Sequence, residues 1–555
     1  MLAAVLALAS AVGVGAGEQS PARPEAADLV LRGGRVWPGK GLPEGTAIAI
    51  KGERVVAVGS DAAVRDRVGA GTRVVELKGR LVLPGFNDSH VHFLEGGFGE
   101  LSVDLRDARD EADLASRVGA YARTLPEGAW IQNGNWDHES WPSKALPTRQ
   151  LVDPVTPRNP VLLSRLDGHM ALANSRALQL AGITRATPDP DGGTIVRDAS
   201  GEPTGILKDN AQDLVTKVIP PASREMNLRA ARAALQDAAR LGVTTIQDNS
   251  ADDAQGTYEE LRTRGELTAR IYVWRYAAAL PALRAAGRRT GQGDDWIRLG
   301  AIKILSDGSM GAGTAAFFEA YDDAPDTRGL LLHPVPELER LILEADAAGF
   351  QLAVHAIGDR ANSLVLDAFE KAVRANGPRD RRLRIEHAQV VRAEDVPRFK
   401  ALNVVASIQP SHCIDDMRWA EKRIGARRCR DAYRFRSLLA GGVRVAFGTD
   451  WSVEPLDPRV GLYAAVTREF REGGPPGGWR PEEKISLEDA VDLYTRGSAY
   501  AEFADERKGT LEVGKLADLV VFQRDIFAGA PRDILTTHVD MTVVGGRVVF
   551  DQDER

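Results

Sequence analysis

The spacing of hydrophobic and polar positions changes twice along this 555-residue chain. Near both ends, short runs alternate apolar and polar residues between glycine-containing turns, a pattern typical of β-strands joined in hairpins. We expect such strands in residues 28–83 and 508–555. Because the two regions share this pattern and flank a long middle part, they are predicted to form one composite β-sandwich.

In the middle part, residues 84–507, short apolar runs alternate with segments of helical period, for example 227–241, 335–348 and 362–375. This alternation is typical of parallel α/β architecture. Eight runs favour a (β/α)8 TIM barrel over an open doubly wound sheet, since no glycine-rich phosphate turn follows the first run. The eight predicted strands are 81–86, 244–248, 271–275, 301–306, 351–355, 383–387, 404–409 and 445–450.

A long insertion, residues 95–243, separates the first two predicted barrel strands. It leaves the carboxyl end of the barrel, where barrel enzymes bind substrates, and is far longer than an ordinary connection. We therefore predict a subdomain that covers the substrate, with a packing or oligomerisation insert as the alternative. Its Trp136 and Trp141 are candidates for an apolar wall, although aromatic residues at this spacing also serve as ordinary packing.

Composition excludes several classes of protein. A net charge of −7 gives no reason to expect nucleic acid binding, and 43% hydrophobic residues fit a soluble globular chain. The two cysteines, Cys413 and Cys429, are too few for a disulfide framework or a cysteine metal cage. The state of association stays open, and a homodimer is one expectation.

The first residues are apolar and small, with no charge before Glu18. Residues 1–17 are predicted to be a signal peptide, although the basic n-region is missing, and a disordered tail is the alternative. Residues 18–27 are predicted to be a linker. A signal here implies a periplasmic or secreted protein, and its absence a cytoplasmic one. No other segment is long and apolar enough to span a membrane.

Polar residues that suit a metal ion recur at the carboxyl ends of the predicted strands. Each has an ordinary explanation alone, since a lone histidine at a strand end is more often hydrogen-bonded than metal-bound, and a lone lysine can reach the surface. A barrel, however, brings these strand ends together in a ring. The residues that would converge there are His90, His92, Lys303, His355, His387 and Asp450.

Six motifs, taken in order, resemble those of the amidohydrolase superfamily, in its YtcJ-like (amidohydrolase 3) branch, which includes N-substituted formamide deformylase. The resemblance extends from about residue 28 to residue 550. The motifs are LPGFNDSHVH at 83–92, RLDGHMALANS at 165–175, KILSDGS at 303–309, HAIGD at 355–359, IEHAQ at 385–389 and GTDW at 448–451.

The resemblance implies how these residues divide the work. His90 and His92 would hold one divalent metal, zinc being favoured, and His355 and His387 a second. Lys303, carboxylated on its side-chain nitrogen, would bridge the two ions. This modification would also turn a buried cation into an anionic ligand. Asp450 would contact both the metal and the catalytic water.

The implied activity is hydrolysis of a C–N bond in a small molecule: an amide, N-formyl or N-acyl amide, carbamate or cyclic amide. Metal-activated water would attack, with Asp450 as general acid and base. An esterase or lactonase, or a metal-dependent isomerase, remains an alternative on the same scaffold, and a non-catalytic binding protein is a further one. His169 is the candidate for substrate or oxyanion contact, and its alternative is a structural hydrogen bond. The other predicted substrate contacts are Trp136, Asp307, Gln409 and His412.

Overall fold

Eight parallel strands form the centre of the computed structural model, which describes residues 25–250 and 254–554. Each strand pairs with the next in chain order, and the predicted (β/α)8 barrel is confirmed. Between the first and last strands the ring closes through single bonds: the Asp450 N–H donates to the His90 carbonyl at 2.7 Å, and the Thr449 N–H to the Asp88 carboxylate at 2.9 Å. The barrel strands are Phe86–Val91, Val243–Asp248, Arg270–Tyr276, Ile297–Leu305, Leu352–Ala356, Arg384–His387, Val405–Ile408 and Arg444–Phe447.

The prediction for the first barrel strand was wrong in its position. The apolar run 81–86 divides at Gly85: Leu81–Pro84 pairs with strands of the sandwich, and Phe86–Val91 is the barrel strand. A side chain at Gly85 would place its Cβ 2.3 Å from Thr244, so only glycine permits this passage between the two sheets. His90 therefore lies inside the strand, whereas His92 precedes the helix Phe93–Glu100.

Helices cover the outside of the barrel because their apolar residues recur on one face. In Arg224–Leu241 the Ser223 hydroxyl caps the first turn, and Gly242 ends the helix at a φ of 79°. The helices of the barrel and its loops are Phe93–Glu100, Arg224–Leu241, Ala254–Thr263, Leu280–Ala285, Val335–Ala347, Asp359–Asn376, Val396–Ala401, Pro410–Asp416, Ala420–Arg428, Phe435–Ala440, Pro458–Thr467, Leu487–Asp492 and Ser498–Ala501.

Strands from both ends of the chain form two sheets that share one hydrophobic core. Leu519 and Val543 from the carboxyl end pack there with Leu31 and Ile48 from the amino end. One sheet contains Leu29–Arg32, Ala47–Lys51, Arg54–Gly59 and Arg73–Glu76, and the other Arg35–Val36, Leu81–Pro84, Leu519–Phe522, Val539–Val544 and Arg547–Asp551. The short helices Asp61–Arg65 and Asp533–Thr536 lie in these regions.

The inserted domain has a five-stranded sheet with apolar clusters of its own. The helices Phe93–Glu100 and Arg224–Leu241, both within or overlapping the predicted insertion, pack instead on the barrel core, so the separately folded part is shorter than 95–243. The strands of the inserted domain are Ile131–Trp136, Val161–Arg165, Met170–Ala173, Gly193–Arg197 and Pro203–Asp209. Its helices are Glu111–Ala122, Arg149–Val152, Ser175–Leu180 and Asp213–Thr216.

The predicted signal peptide, residues 1–17, and most of the predicted linker lie outside the described residues. Within the described ranges, the structure contains no helix that is both long enough and apolar enough to cross a membrane.

Candidate metal centre

The barrel brings the predicted ligands together at the carboxyl ends of its strands. Asp450 Oδ1 lies 3.4 Å from Nε2 of His90 and 3.3 Å from Nε2 of His92. Ligand atoms of His90, His387 and Asp450 all lie within 4.8 Å of one another. The ring centroids of His355 and His387 are 4.6 Å apart, and Lys303 Nζ lies 3.2 Å from His90 Nε2.

The hydrogen bonds around His90 and Asp450 test whether a cation fits here. Nδ1 of His90 lies 2.6 Å from the Glu386 carboxylate, which accepts its proton and leaves the Nε2 lone pair facing Asp450. Asp450 Oδ1 is buried and has no hydrogen-bond donor among the described residues. Lys303 Nζ can donate to that lone pair, but the Asp450 oxygen is left without a donor from the described chain, and a buried carboxylate oxygen in that state is unfavourable unless a cation contacts it. The donor set therefore fits a divalent metal.

Burial prepares these side chains as ligands. It lowers the pKa of His90, His355 and His387 well below the usual value, which favours the neutral imidazole that binds metals. Burial also lowers the pKa of the Lys303 ammonium to about 8. Lys303 is 2% exposed, and the lowered pKa means that its amine loses its proton more readily than that of an exposed lysine.

Two residues of this group hold strained backbone conformations. His387 has a φ of 73° and Asp450 a φ of 60°, both in the left-handed region that disfavours side chains other than glycine. Such conformations cost on the order of 1–3 kcal/mol each and persist where the surrounding structure determines them. In these backbone conformations both side chains point into the cluster of candidate ligands.

A cavity of about 920 Å³ lies above this cluster, between the barrel and the inserted domain. His169 reaches it from the inserted domain, and its ring centroid is 5.1 Å from that of His355. Asp209 Oδ1 lies 2.6 Å from Nδ1 of His169, so the carboxylate orients the ring and leaves Nε2 available. Burial lowers the pKa of His169, but Asp209 and Asp167 more than offset this, and the net shift is upward.

Of the other predicted substrate contacts, His412 lines the cavity, whereas Gln409 and Asp307 lie behind its lining. His412 lines the cavity, with Nε2 at 3.7 Å from Asp450 Oδ2. Gln409 is buried beneath the rim and bonds Nδ1 of His387 at 2.8 Å, so it supports a predicted ligand. Asp307 is fully buried and accepts the N–H groups of Ala316, Ile357 and Gly358, an arrangement that holds the loop after the fourth strand.

Trp136 lies in the core of the inserted domain and outside the cavity lining found in the described residues, contrary to the prediction of substrate contact. Its indole N–H donates to the Leu163 carbonyl at 2.7 Å. Trp141 packs beside it and donates to the Ala108 carbonyl at 2.8 Å. The physical reason is that large aromatic side chains supply most of the apolar area that a small domain can bury.

Glu386, Arg384 and Asp209 were missed by the sequence reasoning. A signal existed for the first two, since charged residues at positions i and i+2 of an apolar barrel strand both point into the barrel interior. No local pattern marks Asp209, which meets His169 only because the strands Met170–Ala173 and Pro203–Asp209 pair.

This fold and cluster define a class of protein, and the chain belongs to the amidohydrolase family, whose model matches residues 73–550. Protein LONG AFTER FAR-RED 3 of Arabidopsis thaliana is 37% identical, over 94% of this chain and 92% of its own. The amidohydrolase YtcJ of Bacillus subtilis (strain 168) is 33% identical, over 91% of this chain and 96% of its own. N-substituted formamide deformylase of Arthrobacter pascens is 28% identical, over 91% and 95%.

Among solved structures, an uncharacterized metal-dependent hydrolase from Pyrococcus horikoshii OT3 aligns with a TM-score of 0.74 and 29% identity. The alignment covers 91% of this chain and 99% of that chain. The predicted family is thus confirmed. Family membership and the cluster of ligand atoms together support a hydrolase with a divalent metal site and a small-molecule substrate.

Proposed function

We propose that this protein hydrolyses a C–N bond beside a carbonyl group, in an amide, N-formyl or N-acyl amide, carbamate or cyclic amide. The observation that carries the proposal is the buried Asp450 oxygen, which lies within 3.4 Å of two imidazole nitrogens and has no donor in the described part of the chain. Similarity to a formamide deformylase along 91% of this chain supports the N-formyl class in particular.

The proposed site holds one or two divalent ions, with zinc favoured because imidazole and carboxylate ligands suit it. When bound, such an ion lowers the pKa of water and polarises a carbonyl group. The residues that would hold the metal are His90, His92, Lys303, His355, His387 and Asp450.

Carboxylation of Lys303 is part of this proposal, and the charges around it give the reason. Unmodified Lys303 and Arg384 place two cations among the buried ligands, against the anions Glu386 and Asp450. A divalent ion would then enter a site with no net negative charge. A carbamate on Lys303 replaces one cation by an anion, which makes the site attractive to a divalent ion.

Asp450 and His169 divide the proposed proton and substrate contacts. Asp450 accepts a proton from the attacking water at its carboxylate and passes it to the leaving nitrogen. His169 contacts the substrate from the opposite wall of the cavity, with its ring held by Asp209. The inserted domain covers the reacting groups and restricts access of bulk water.

A substrate panel tests the proposal. Protein purified without chelator is assayed on an N-substituted formamide, an N-acetyl amide, a cyclic amide and a matched ester, and its metal content is measured. We expect turnover of at least one C–N substrate, its loss after chelation, and its return with Zn²⁺. Hydrolysis of the ester alone by metal-replete protein would overturn the C–N assignment.

A further inference from the structure

Three imidazoles of the metal centre have different hydrogen-bond partners. Nδ1 of His90 meets the Glu386 carboxylate at 2.6 Å, and Nδ1 of His387 meets the Gln409 side-chain amide at 2.8 Å. Nε2 of His355 lies 3.2 Å from the Gly308 backbone carbonyl. A carboxylate therefore bonds the His90 ring directly, whereas the rings of His355 and His387 bond neutral oxygens. The Asp307 carboxylate lies farther from Nε2 of His355, at 3.5 Å, and already accepts three backbone N–H groups.

Arg384 fixes the position of Glu386. Its guanidinium donates to both Glu386 oxygens, at 2.8 and 3.2 Å, and also to the Ser89 carbonyl at 2.6 Å and the Ser407 hydroxyl at 3.0 Å. Its guanidinium carbon lies 4.6 Å from the ring centroid of Trp274. Arg384 and Glu386 are both fully buried, so the carboxylate has no room to turn away from His90.

The partner behind an imidazole affects its strength as a ligand. A carboxylate that accepts the ring N–H raises the electron density at the opposite nitrogen and sets the angle of the ring. A neutral amide or carbonyl sets the angle but adds less density. His90 also stands next to Asp450 and Lys303, so its Nε2 points at the centre of the ligand cluster.

We propose that Glu386, anchored by Arg384, is a positioning residue of the metal centre, and that a divalent ion binds first and most tightly on the His90 side. The His355 and His387 side then takes a second ion with lower affinity. The inference rests on the proposed function only for the existence of a metal site, and it involves no substrate.

The test compares two reciprocal substitutions. Glu386→Gln keeps an acceptor behind His90 but removes its charge, and Gln409→Glu places a charge behind His387. Zn²⁺ affinity is measured by competition with a chromophoric chelator, and Co²⁺ absorption spectra report on the ligands. We expect two classes of site in the wild type, a 10–100-fold loss at the tighter one in Glu386→Gln, and tighter binding at the weaker one in Gln409→Glu.

The second variant keeps the inference testable if Glu386→Gln does not fold with Arg384 left uncompensated. Circular dichroism of the metal-free proteins identifies that case, and Gln409→Glu then decides by itself. Equal affinity of the two wild-type sites overturns the inference. So does a folded Glu386→Gln protein within twofold of the wild type, or a Gln409→Glu protein with unchanged affinity. Since no substrate is used, these outcomes are separate from failure of the proposed C–N hydrolysis.

Discussion

The barrel mouth and the inserted domain face the same cavity, but they place polar side chains in different ways. On the barrel side, His355 lies near the end of the fifth parallel strand and Asp450 just after the eighth, and the carboxyl ends of all eight strands meet at one face of the barrel. On the inserted side, His169 directly precedes the strand Met170–Ala173 and Asp209 ends the strand Pro203–Asp209, and the antiparallel pairing of these strands brings the two residues together. The difference suggests that the barrel carries the chemistry common to the family and the inserted domain selects the substrate.

Replacing Asp450 should have the largest effect. In Asp450→Asn the carboxylate can no longer accept a proton, and we expect kcat to fall by about 10³–10⁴-fold for every substrate. Metal content should stay close to that of the wild type, because the histidine ligands are unchanged. Steady-state kinetics on the substrate panel, with metal analysis of the same samples, provide the measurement.

Uniformity across substrates is the informative part of that result. If Asp450→Asn abolishes hydrolysis of one substrate but leaves another untouched, the barrel does not carry a common chemistry, and the proposed division between the two regions is wrong.

Trp136 tests whether the inserted domain is a fold of its own. Trp136→Ala removes a fully buried indole and should cost about 3–5 kcal/mol of stability in that domain. Denaturant unfolding followed by circular dichroism should then show an early transition from the inserted domain and a later one from the barrel.

The matched control is Trp136→Phe, which keeps an aromatic ring in the core but loses the N–H bond to the Leu163 carbonyl and part of the buried volume. We expect a smaller loss of about 1–3 kcal/mol and an unchanged KM. A rise in KM in Trp136→Phe would restore the prediction that this side chain contacts substrate.

The barrel and the grouping of the candidate ligands at its strand ends could be predicted because they follow a repeated rule. A polar residue at the end of an apolar run occupies an equivalent position in each strand, so His355, His387 and Asp450 could be grouped across the sequence. The error at the first strand has a local cause, since the run 81–86 contains two strands and only the close approach at Gly85 divides them.

The inserted domain obeys no such rule. Trp136 and His169 both lie near polar residues, and sequence alone does not tell which of them turns inward to the domain core. The orientation of each side chain depends on long-range strand pairing. The strand Ile131–Trp136 pairs with Val161–Arg165, and His169 meets Asp209, which lies 40 residues later in the chain. Patterns within a short window carry little information about such pairing.

His169→Asn should lower kcat/KM by about 10–100-fold, or roughly 1.4–2.7 kcal/mol in the barrier. The loss should differ among acyl groups, because His169 lies on the wall that the inserted domain contributes. Asp209→Asn leaves the His169 ring in place but removes the charge that orients it. We therefore expect a smaller fall in kcat/KM, which varies among acyl groups in the same way. Equal losses across the panel would place His169 with the common chemistry of the barrel.

The smallest effect should come from the contact between the two regions. Ser309, in the loop after the fourth barrel strand, donates to Asp167 of the inserted domain at 2.5 Å. Ser309→Ala removes this bond and the one that the hydroxyl accepts from the Ala312 N–H at 3.0 Å, but Asp167 keeps its ion pair with Arg165 at 2.7 Å, so the loss should be about 1–2 kcal/mol. Because the contact positions the cavity wall and not the reacting groups, we expect a several-fold rise in KM with kcat nearly unchanged.

Ser143→Ala is the control for this prediction. Ser143 bonds Glu111 at 2.6 Å within the inserted domain, so its replacement should leave KM unaltered. A tenfold fall in kcat in Ser309→Ala, or an equal KM change in the control, would show that the inserted domain does not act on the substrate through this contact.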